Sequence, residues 1–169
     1  LYTQQILEFV DKPFIKVITG LRRSGKSTLL MLIKEELLKR GVIPEKIVSL
    51  NMESFNFSHI INARTLYDEI RTKVQSDEKH YVFIDEIQDV PEWEKAINAL
   101  MVDLDVDIFI TGSNSKLLSS ELSTYLTGRY IEFSILPLSF REFLDFSQHR
   151  NVPYQNHTQA FDVFMKMGG

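Results

Sequence analysis

The stretch Gly20-Leu21-Arg22-Arg23-Ser24-Gly25-Lys26-Ser27 decides the fold of this 169-residue chain. It matches the pattern G-x-x-x-x-G-K-[ST], in which a glycine-rich loop joins a buried strand to a helix and holds phosphate groups. An apolar run at residues 14–19 precedes the stretch, and a helical pattern at residues 26–40 follows it. The motif requires this context, so the sequence predicts a strand, a phosphate-binding loop and a helix in that order.

The residue types in the loop explain how it could hold phosphates. Glycine lets the backbone curl tightly, so that successive N–H groups and the positive end of the helix dipole converge on phosphate oxygens. Lys26 adds a positive charge for the β- and γ-phosphates, Ser27 offers a hydroxyl ligand to Mg²⁺, and Thr28 could reach the α-phosphate. The predicted nucleotide-binding residues are Gly20, Leu21, Arg22, Arg23, Ser24, Gly25, Lys26, Ser27 and Thr28. The two arginines either touch phosphates or point into solvent.

An acidic pair, Asp85 and Glu86, ends a buried strand candidate at residues 81–85. A rigid strand end suits a carboxylate that must hold Mg²⁺ opposite the loop, so Asp85 is the predicted metal-side acid. Because side chains alternate along a strand, we expect Glu86 to face another direction, where it could deprotonate an attacking water. The alternative for Glu86 is an exposed acid that opens a turn.

Two further candidates lie beside later strands. The fourth strand, residues 107–111, runs into Gly112, Ser113 and Asn114 at a carboxyl end, where ligands bind in open parallel sheets. Asn114 could hold the attacking water near the γ-phosphate, or it could only cap the next helix. Arg129 precedes the fifth strand, and its guanidinium could reach phosphates of its own or of a neighbouring subunit's nucleotide. A surface arginine that pairs with an acid is the alternative.

Short β-branched and aromatic runs alternate with helical patterns, which is typical of βαβ units around a parallel sheet. The five predicted strands are residues 14–19, 47–51, 81–85, 107–111 and 130–136. Besides the helix after the loop, apolar residues at helical spacing predict three more helices, around Leu66, Trp93 and Leu122. Ser139 and Glu142 form a capping-box pattern that begins another helix after the last strand. The expected fold class is α/β, in three layers with helices on both faces of the sheet.

Composition argues against several classes of function. The 19 basic and 23 acidic side chains give a formal net charge of -4, so no overall basic field supports non-specific nucleic-acid binding. Because the chain lacks cysteine, it has no disulfide, thiolate chemistry or Cys-ligated zinc, which fits a reducing cytoplasm. No apolar run approaches the roughly 18 residues that span a bilayer. We therefore expect a cytoplasmic protein without a membrane partner.

The order of these motifs resembles the AAA+ ATPase superfamily over nearly the whole chain. The likeness is to a prokaryotic family within it, AAA domain family fourteen, whose members normally carry a C-terminal domain of unknown function. The stretches that carry this likeness are residues 21–27, Asp85-Glu86-Ile87-Gln88, Gly128-Arg129-Tyr130 and Leu136-Pro137-Leu138-Ser139-Phe140-Arg141-Glu142-Phe143. The native chain is therefore expected to continue into that C-terminal domain.

The resemblance implies a parallel five-stranded P-loop sheet in the order 5-1-4-3-2. It implies Lys26 and Ser27 as Walker A residues, with Asp85 and Glu86 as the Walker B acid and the catalytic base. Asn114 would be the sensor. Residues 1–136 would form the nucleotide-binding core, and residues 137–169 would begin a small helical lid.

The leading hypothesis is an ATPase that uses ATP and Mg²⁺ and drives a conformational change in an attached or partner domain. A homo-oligomer is a further expected partner arrangement. One alternative is a nucleotide-binding regulatory module with little turnover. A small P-loop kinase is the other alternative, and Glu86 argues against it.

Overall fold

The computed structural model describes residues 2–74, 78–113, 117, 126, 128–149, 154 and 156–167. Helices and strands alternate through most of this chain. In chain order they are α1 (Tyr2–Leu7), β1 (Ile15–Gly20), α2 (Lys26–Lys39), β2 (Ile47–Asn51), α3 (Ala63–Lys73), β3 (His80–Asp85), α4 (Trp93–Asp103), β4 (Val106–Ser113), β5 (Tyr130–Ile135), α5 (Phe140–His149) and α6 (His157–Met167). Short 3₁₀ helices lie at Pro44–Lys46, Phe55–Phe57 and Ile87–Asp89.

The five strands form one sheet in the order β2-β3-β4-β1-β5. Every neighbouring pair is parallel, with Val17 opposite Ile110 between β1 and β4 and opposite Glu132 between β1 and β5. This is the predicted order 5-1-4-3-2 read from the other edge, so the α/β P-loop prediction is confirmed. Because all strands run in one direction, their carboxyl ends meet along a single edge of the sheet.

Helices cover both faces of the sheet and separate the core into two apolar clusters. One cluster joins the sheet to α3 and α4 through Leu66, Ile70, Trp93 and Leu100. The other joins it to α1 and α2 and contains Ile6, Leu29, Leu30, Ile33 and Leu37. The predicted three layers are therefore present, with helices packed on each face as a parallel sheet requires.

Burial along the strands distinguishes the centre of the sheet from its edges. Every residue of β1 and β3 is buried, and so is every residue of β4 before Ser113. The edge strands β2 and β5 instead mix buried positions with exposed ones. A strand that is covered on both faces reads as a continuous apolar run, which is why these central strands were visible in the sequence.

The strand β4 continues to Ser113, whereas the sequence predicts its end at Thr111. The two additional residues pair with β1, because Thr19 lies opposite Gly112 and Gly20 lies opposite Ser113. Glycine and serine weaken a strand prediction, but the backbone hydrogen bonds of a neighbouring strand hold them in the ladder. The consequence is that the end of β4 lies directly beside the start of the phosphate loop.

The predicted helix ends are largely reproduced. After α2, Gly41 has φ of 95°, and its N–H donates to the carbonyl of Leu38, which is the expected glycine C-cap. Before α5, Ser139 and Glu142 form the predicted capping box, with the Ser139 N–H donating to Glu142 Oε2 at 2.8 Å. The helix expected around Leu122 lies outside the described residues. No described helix is long and apolar enough to cross a membrane.

Two helices have no counterpart in the sequence prediction, α1 and α6. The C-terminal one packs on α5 through aromatic rings. The ring of Phe140 lies 5.2 Å from that of Phe161 and 5.5 Å from that of Phe164, between ring centres. Such ring pairs stabilise a small helical unit beyond what their buried area provides. The division into a core at residues 1–136 and a lid at residues 137–169 stays a prediction.

Candidate functional site

A cleft opens where the loop between β1 and α2 faces the end of β3. Its volume is about 400 Å³, which lies within the range of small-molecule sites. The residues that line it are Arg22, Arg23, Gly25, Lys26, Ser27, Thr28, Glu53 and Glu86. Six of these eight belong to the predicted nucleotide-binding loop, and a seventh, Glu86, is the predicted catalytic base.

The loop curls because two of its residues adopt left-handed backbone conformations, Arg23 with φ of 68° and Gly25 with φ of 91°. At its start, a Cβ on Gly20 would lie 2.6 Å from both the carbonyl oxygen of Ile135 and Oγ of Ser24. No side chain fits at such a distance, so a residue other than glycine would push the loop away from β5. The first glycine of the motif is therefore needed for close packing, and Gly25 is needed for its positive φ.

Helix α2 begins at Lys26, and its N-cap residue, Gly25, has no side chain that could cap the first turn. The first N–H groups of a helix have no partner within the helix and require one outside it. Ser27 and Thr28 are exposed at this turn. The helix start thus presents N–H donors, hydroxyl groups and the positive end of the helix dipole to the cleft, as an anion site requires.

The Lys26 side chain connects the loop to the acidic pair. It is almost fully buried, and its Nζ donates to the carbonyl oxygens of Leu21 at 3.1 Å and Gly20 at 3.4 Å. The same Nζ lies 3.6 Å from Oε1 of Glu86. Two segments that are 60 residues apart in sequence therefore meet across the cleft, with a buried cation facing a carboxylate.

Asp85 is held by Thr111, a residue for which the sequence suggests no role. Asp85 is the last residue of β3 and is 8% exposed. The buried Thr111 hydroxyl on β4 donates to Oδ1 of Asp85 and accepts the backbone N–H of Glu86 at 3.0 Å. One hydroxyl thus positions both acidic residues. The signal that could have revealed it is a hydroxyl residue in a buried strand that neighbours the acidic one.

Glu86 is oriented by its backbone and not by strand alternation, so that part of the prediction is wrong. The strand β3 ends at Asp85, and Glu86 follows in a left-handed conformation with φ of 55° and ψ of 48°. Its side chain is 16% exposed, and its Oε2 accepts a hydrogen bond of 2.6 Å from Nε2 of Gln88. The exposed-acid alternative therefore does not describe Glu86, whose side chain is mostly buried and lies against Lys26.

The loop arginines and the polar end of β4 were also predicted site residues. Arg22 and Arg23 are exposed at the cleft, and Arg22 lies 3.6 Å from Glu53, an acid that the sequence did not single out. Ser113 ends β4 beside Gly20, so the predicted polar strand end does adjoin the loop. Asn114, the predicted sensor, lies outside the described residues.

Arg129 lies at the amino-terminal end of the sheet's strands, whereas the loop lies at their carboxyl end. Its carbonyl oxygen accepts the N–H of Ile15 at the first residue of β1, whereas the loop follows the last residue of that strand. About six strand residues separate Arg129 from the level of the loop, or roughly 20 Å at 3.3 Å per residue. The structure therefore does not bring Arg129 to the nucleotide site of its own chain. Contact with a neighbouring subunit's nucleotide stays a prediction.

Comparison with known proteins agrees with this geometry. A family model described as "AAA domain" matches residues 12–144. The chain belongs to the AAA domain family. This AAA domain is 47% identical over 171 residues to an uncharacterized protein of Haemophilus influenzae, an alignment that covers 99% of this chain and 42% of that protein. It is 32% identical over 166 residues to an uncharacterized protein of Methanocaldococcus jannaschii, covering 92% of this chain and 35% of that protein.

Solved structures show the same fold for this AAA domain. The structure of AMPPCP-bound DnaA from Aquifex aeolicus superposes with a TM-score of 0.62 at 17% identity, covering 94% of this chain and 53% of that chain. The family and the fold together confirm the predicted resemblance to AAA+ ATPases and indicate a nucleotide-binding domain. The chain spans less than half the length of the two relatives that it matches.

Proposed function

We propose that this AAA domain binds Mg·ATP and hydrolyses it to ADP and phosphate. The observation that carries the proposal is the 3.6 Å approach of Lys26 Nζ to Glu86 Oε1 across the cleft. This approach brings the phosphate-binding lysine and a carboxylate to the same cleft, so a terminal phosphate bound by the lysine would lie within reach of the carboxylate and of a water that it holds. An acid that served only to begin a turn would not lie against the lysine of the loop.

The residues of the loop would bind and orient the phosphates. The uncapped N–H groups at the start of α2 and the Lys26 ammonium would stabilise the negative charge that shifts onto the phosphate oxygens as the bond to the γ-phosphorus breaks. Thr28, exposed in the first turn, is available to the α-phosphate. Donors that are fixed before the reaction lower its barrier in this way.

The donor set at Ser27 and Asp85 fits Mg²⁺. Asp85 is nearly buried at a rigid strand end, where Thr111 holds Oδ1, and Ser27 exposes a hydroxyl at the start of α2. A hydroxyl and a carboxylate, completed by waters and phosphate oxygens, are the ligands that Mg²⁺ takes in nucleotide sites. When bound, the ion would neutralise charge on the β- and γ-phosphates.

Glu86 would act as the general base. Glu86 lines the cleft, so its carboxylate could accept a proton from water as the water oxygen bonds to the γ-phosphorus and the bond to the bridging oxygen of ADP breaks. A kinase would direct the γ-phosphate to an acceptor hydroxyl instead of water.

The hydrolysis would drive a conformational change in an attached or partner domain. Support comes from length, since the relatives extend well beyond the region that matches this AAA domain. A neighbouring copy of the chain is a second candidate partner, because Arg129 precedes β5 at the end of the sheet away from its own cleft and is exposed. Hydrogen exchange of the full-length protein with ATP and with ADP would reveal such a change as altered protection outside residues 12–144.

The test of hydrolysis measures phosphate release and ATP affinity in the full-length protein. We expect Glu86→Gln to bind ATP as tightly as the natural protein and to turn over at least about 100-fold more slowly, because an amide cannot accept the proton. Turnover at the natural rate in that variant would rule out Glu86 as the base. Phosphate release that appears only when an acceptor is supplied would favour the kinase, and tight binding without release would favour a regulatory module.

The phosphate loop is tested separately by Lys26→Ala, with Lys39→Ala as its matched control. Both lysines lie on α2, but Lys39 is 70% exposed and far from the cleft end of the helix. Losing a charged hydrogen bond to the phosphates should weaken ATP binding about 10- to 100-fold. Lys39→Ala should leave the affinity unchanged. Equal affinities in the two variants would contradict the assignment of the loop.

A further inference from the structure

Gln88 occupies an unusual position beside the proposed base. It lies in the 3₁₀ helix Ile87–Asp89, and its Nε2 donates to Oε2 of Glu86 at 2.6 Å. Because a carboxylate only accepts hydrogen bonds, the NH₂ group of the amide and not its oxygen must face Glu86. The opposite atom, Oε1 of Gln88, is buried and has no partner among the described residues.

Space for this amide comes from Gly112 on β4. A Cβ on Gly112 would lie 2.4 Å from Oε1 of Gln88 and 2.2 Å from Cδ1 of Leu117. A glycine inside a strand weakens it, and a common reason for one is the close approach of another group. Here two groups approach, the Leu117 side chain and the Gln88 amide, so the glycine of β4 leaves room for both.

Three energetically unfavourable features therefore lie around the Glu86 side chain. Glu86 has a left-handed backbone, the buried Gln88 oxygen has no hydrogen-bond donor in the described part of the chain, and Gly112 adds no side chain to a central strand. Each is unfavourable by itself, since non-glycine residues avoid this backbone region and an unpaired buried oxygen loses its hydration. Costs of this kind are retained where they hold a reacting group in place.

We propose that Gln88 is a positioning residue that holds Oε2 of Glu86, so that Oε1 stays directed at the cleft. The proposal rests on the proposed function of Glu86 as general base. The Thr111 hydroxyl fixes the backbone N–H of Glu86, and the Gln88 amide fixes one end of its carboxylate. The remaining oxygen is the one that lies 3.6 Å from Lys26. A carboxylate without this restraint would rotate among several orientations, and only some of them face the water.

The test is Gln88→Met in the full chain, because methionine keeps the length of the side chain and removes the donor. We expect kcat for phosphate release to fall about 10- to 100-fold, as small misplacements of a catalytic group do, while KM and the ATP dissociation constant change less than twofold. Gln88→Asn should lose kcat as well, because its amide is one methylene too short. The control is Gln5→Met, the same change at an exposed position of α1.

A double variant separates this inference from the proposed function. In the Glu86→Gln background, Gln88→Met should cause no further loss of kcat, because it acts through Glu86. An unchanged kcat in both Gln88 variants, or an equal loss with and without Glu86, would overturn the positioning role. If Glu86→Gln itself retained natural turnover, the proposed base would fail, whatever the Gln88 variants show. Retained ATP affinity in Gln88→Met or Gln88→Asn reports that the variant is folded.

Discussion

Replacing Asp107 by asparagine should destabilise the protein strongly without touching the nucleotide site. Asp107 lies at the start of β4 and is 3% exposed, and it forms an ion pair with Lys16 of β1, which is 0% exposed. Its Oδ2 also accepts the N–H of Asp11 at 2.8 Å. The only other hydrogen bond of the Lys16 ammonium to a described residue is to the carbonyl of Lys12 at 3.2 Å. The variant would leave a buried cation without its counter-charge.

The magnitude follows from this burial. Removing one partner of a buried ion pair costs about 3 to 5 kcal/mol, because the remaining charge keeps its desolvation penalty. In a domain of this size each kcal/mol lowers the melting temperature by roughly 2 to 4 °C, so a loss of about 10 °C is expected. Burial also lowers the pKa of Lys16 and raises the pKa of Asp107. The attraction between the two charges shifts both pKa values in the opposite direction, but by less. The pair itself is therefore costly to bury.

Urea unfolding of three variants measures these energies. Asp107→Asn should lose about 3 to 5 kcal/mol, and the double change Lys16→Met with Asp107→Leu should recover most of it by removing both charges. Asp68→Asn is the matched control, because its ion pair with Arg64 is exposed and should contribute less than about 0.5 kcal/mol.

Position in the sheet predicts that nucleotide binding survives these changes. Lys16 and Gly20 are four strand residues apart, about 13 Å at 3.3 Å per residue. ATP affinity measured below the melting temperature of each variant should therefore stay within about twofold of the natural value. A stability loss in Asp107→Asn no larger than that of Asp68→Asn would refute the reasoning about the buried pair.

Two further predictions concern pH dependence and assembly. Burial, together with a hydrogen bond to Asp11, raises the pKa of Tyr81 to about 12, above the value near 10 of an unfolded tyrosine. Its contribution to stability is thus complete below pH ~10 and is lost as the pH rises through about 12. Urea unfolding should show a smaller loss of stability over this pH window in Tyr81→Phe than in the natural protein. An equal loss in both proteins would contradict the assignment. If Arg129 serves a neighbouring subunit, Arg129→Ala and Lys26→Ala should each be slow alone but regain phosphate release when mixed. No gain on mixing, with both variants assembled, would exclude that role.

The nucleotide loop and the central strands could be predicted from sequence because their signals are local. The residues Gly20 to Ser27 are contiguous, and between a strand and a helix their glycines and lysine together indicate phosphate binding. The buried strands show as apolar runs, and the predicted span of β2, residues 47–51, agrees with the structure. Helix ends at Gly41 and Ser139 follow from cap chemistry within a few residues.

Tertiary structure decided the features that depend on contacts between distant segments. The N–H of Glu86, whose backbone is left-handed, donates to Thr111, 25 residues later, and the Gln88 amide lies where a side chain on Gly112 of β4 would clash. In a parallel sheet the amino-terminal ends of all strands lie on one side and their carboxyl ends on the other. Arg129 precedes β5, so it lies on the side away from the loop. By itself, the sequence determined which groups can bind phosphate and a metal ion. The pairing of strands determined which of those groups meet, because register and burial are properties of the whole sheet.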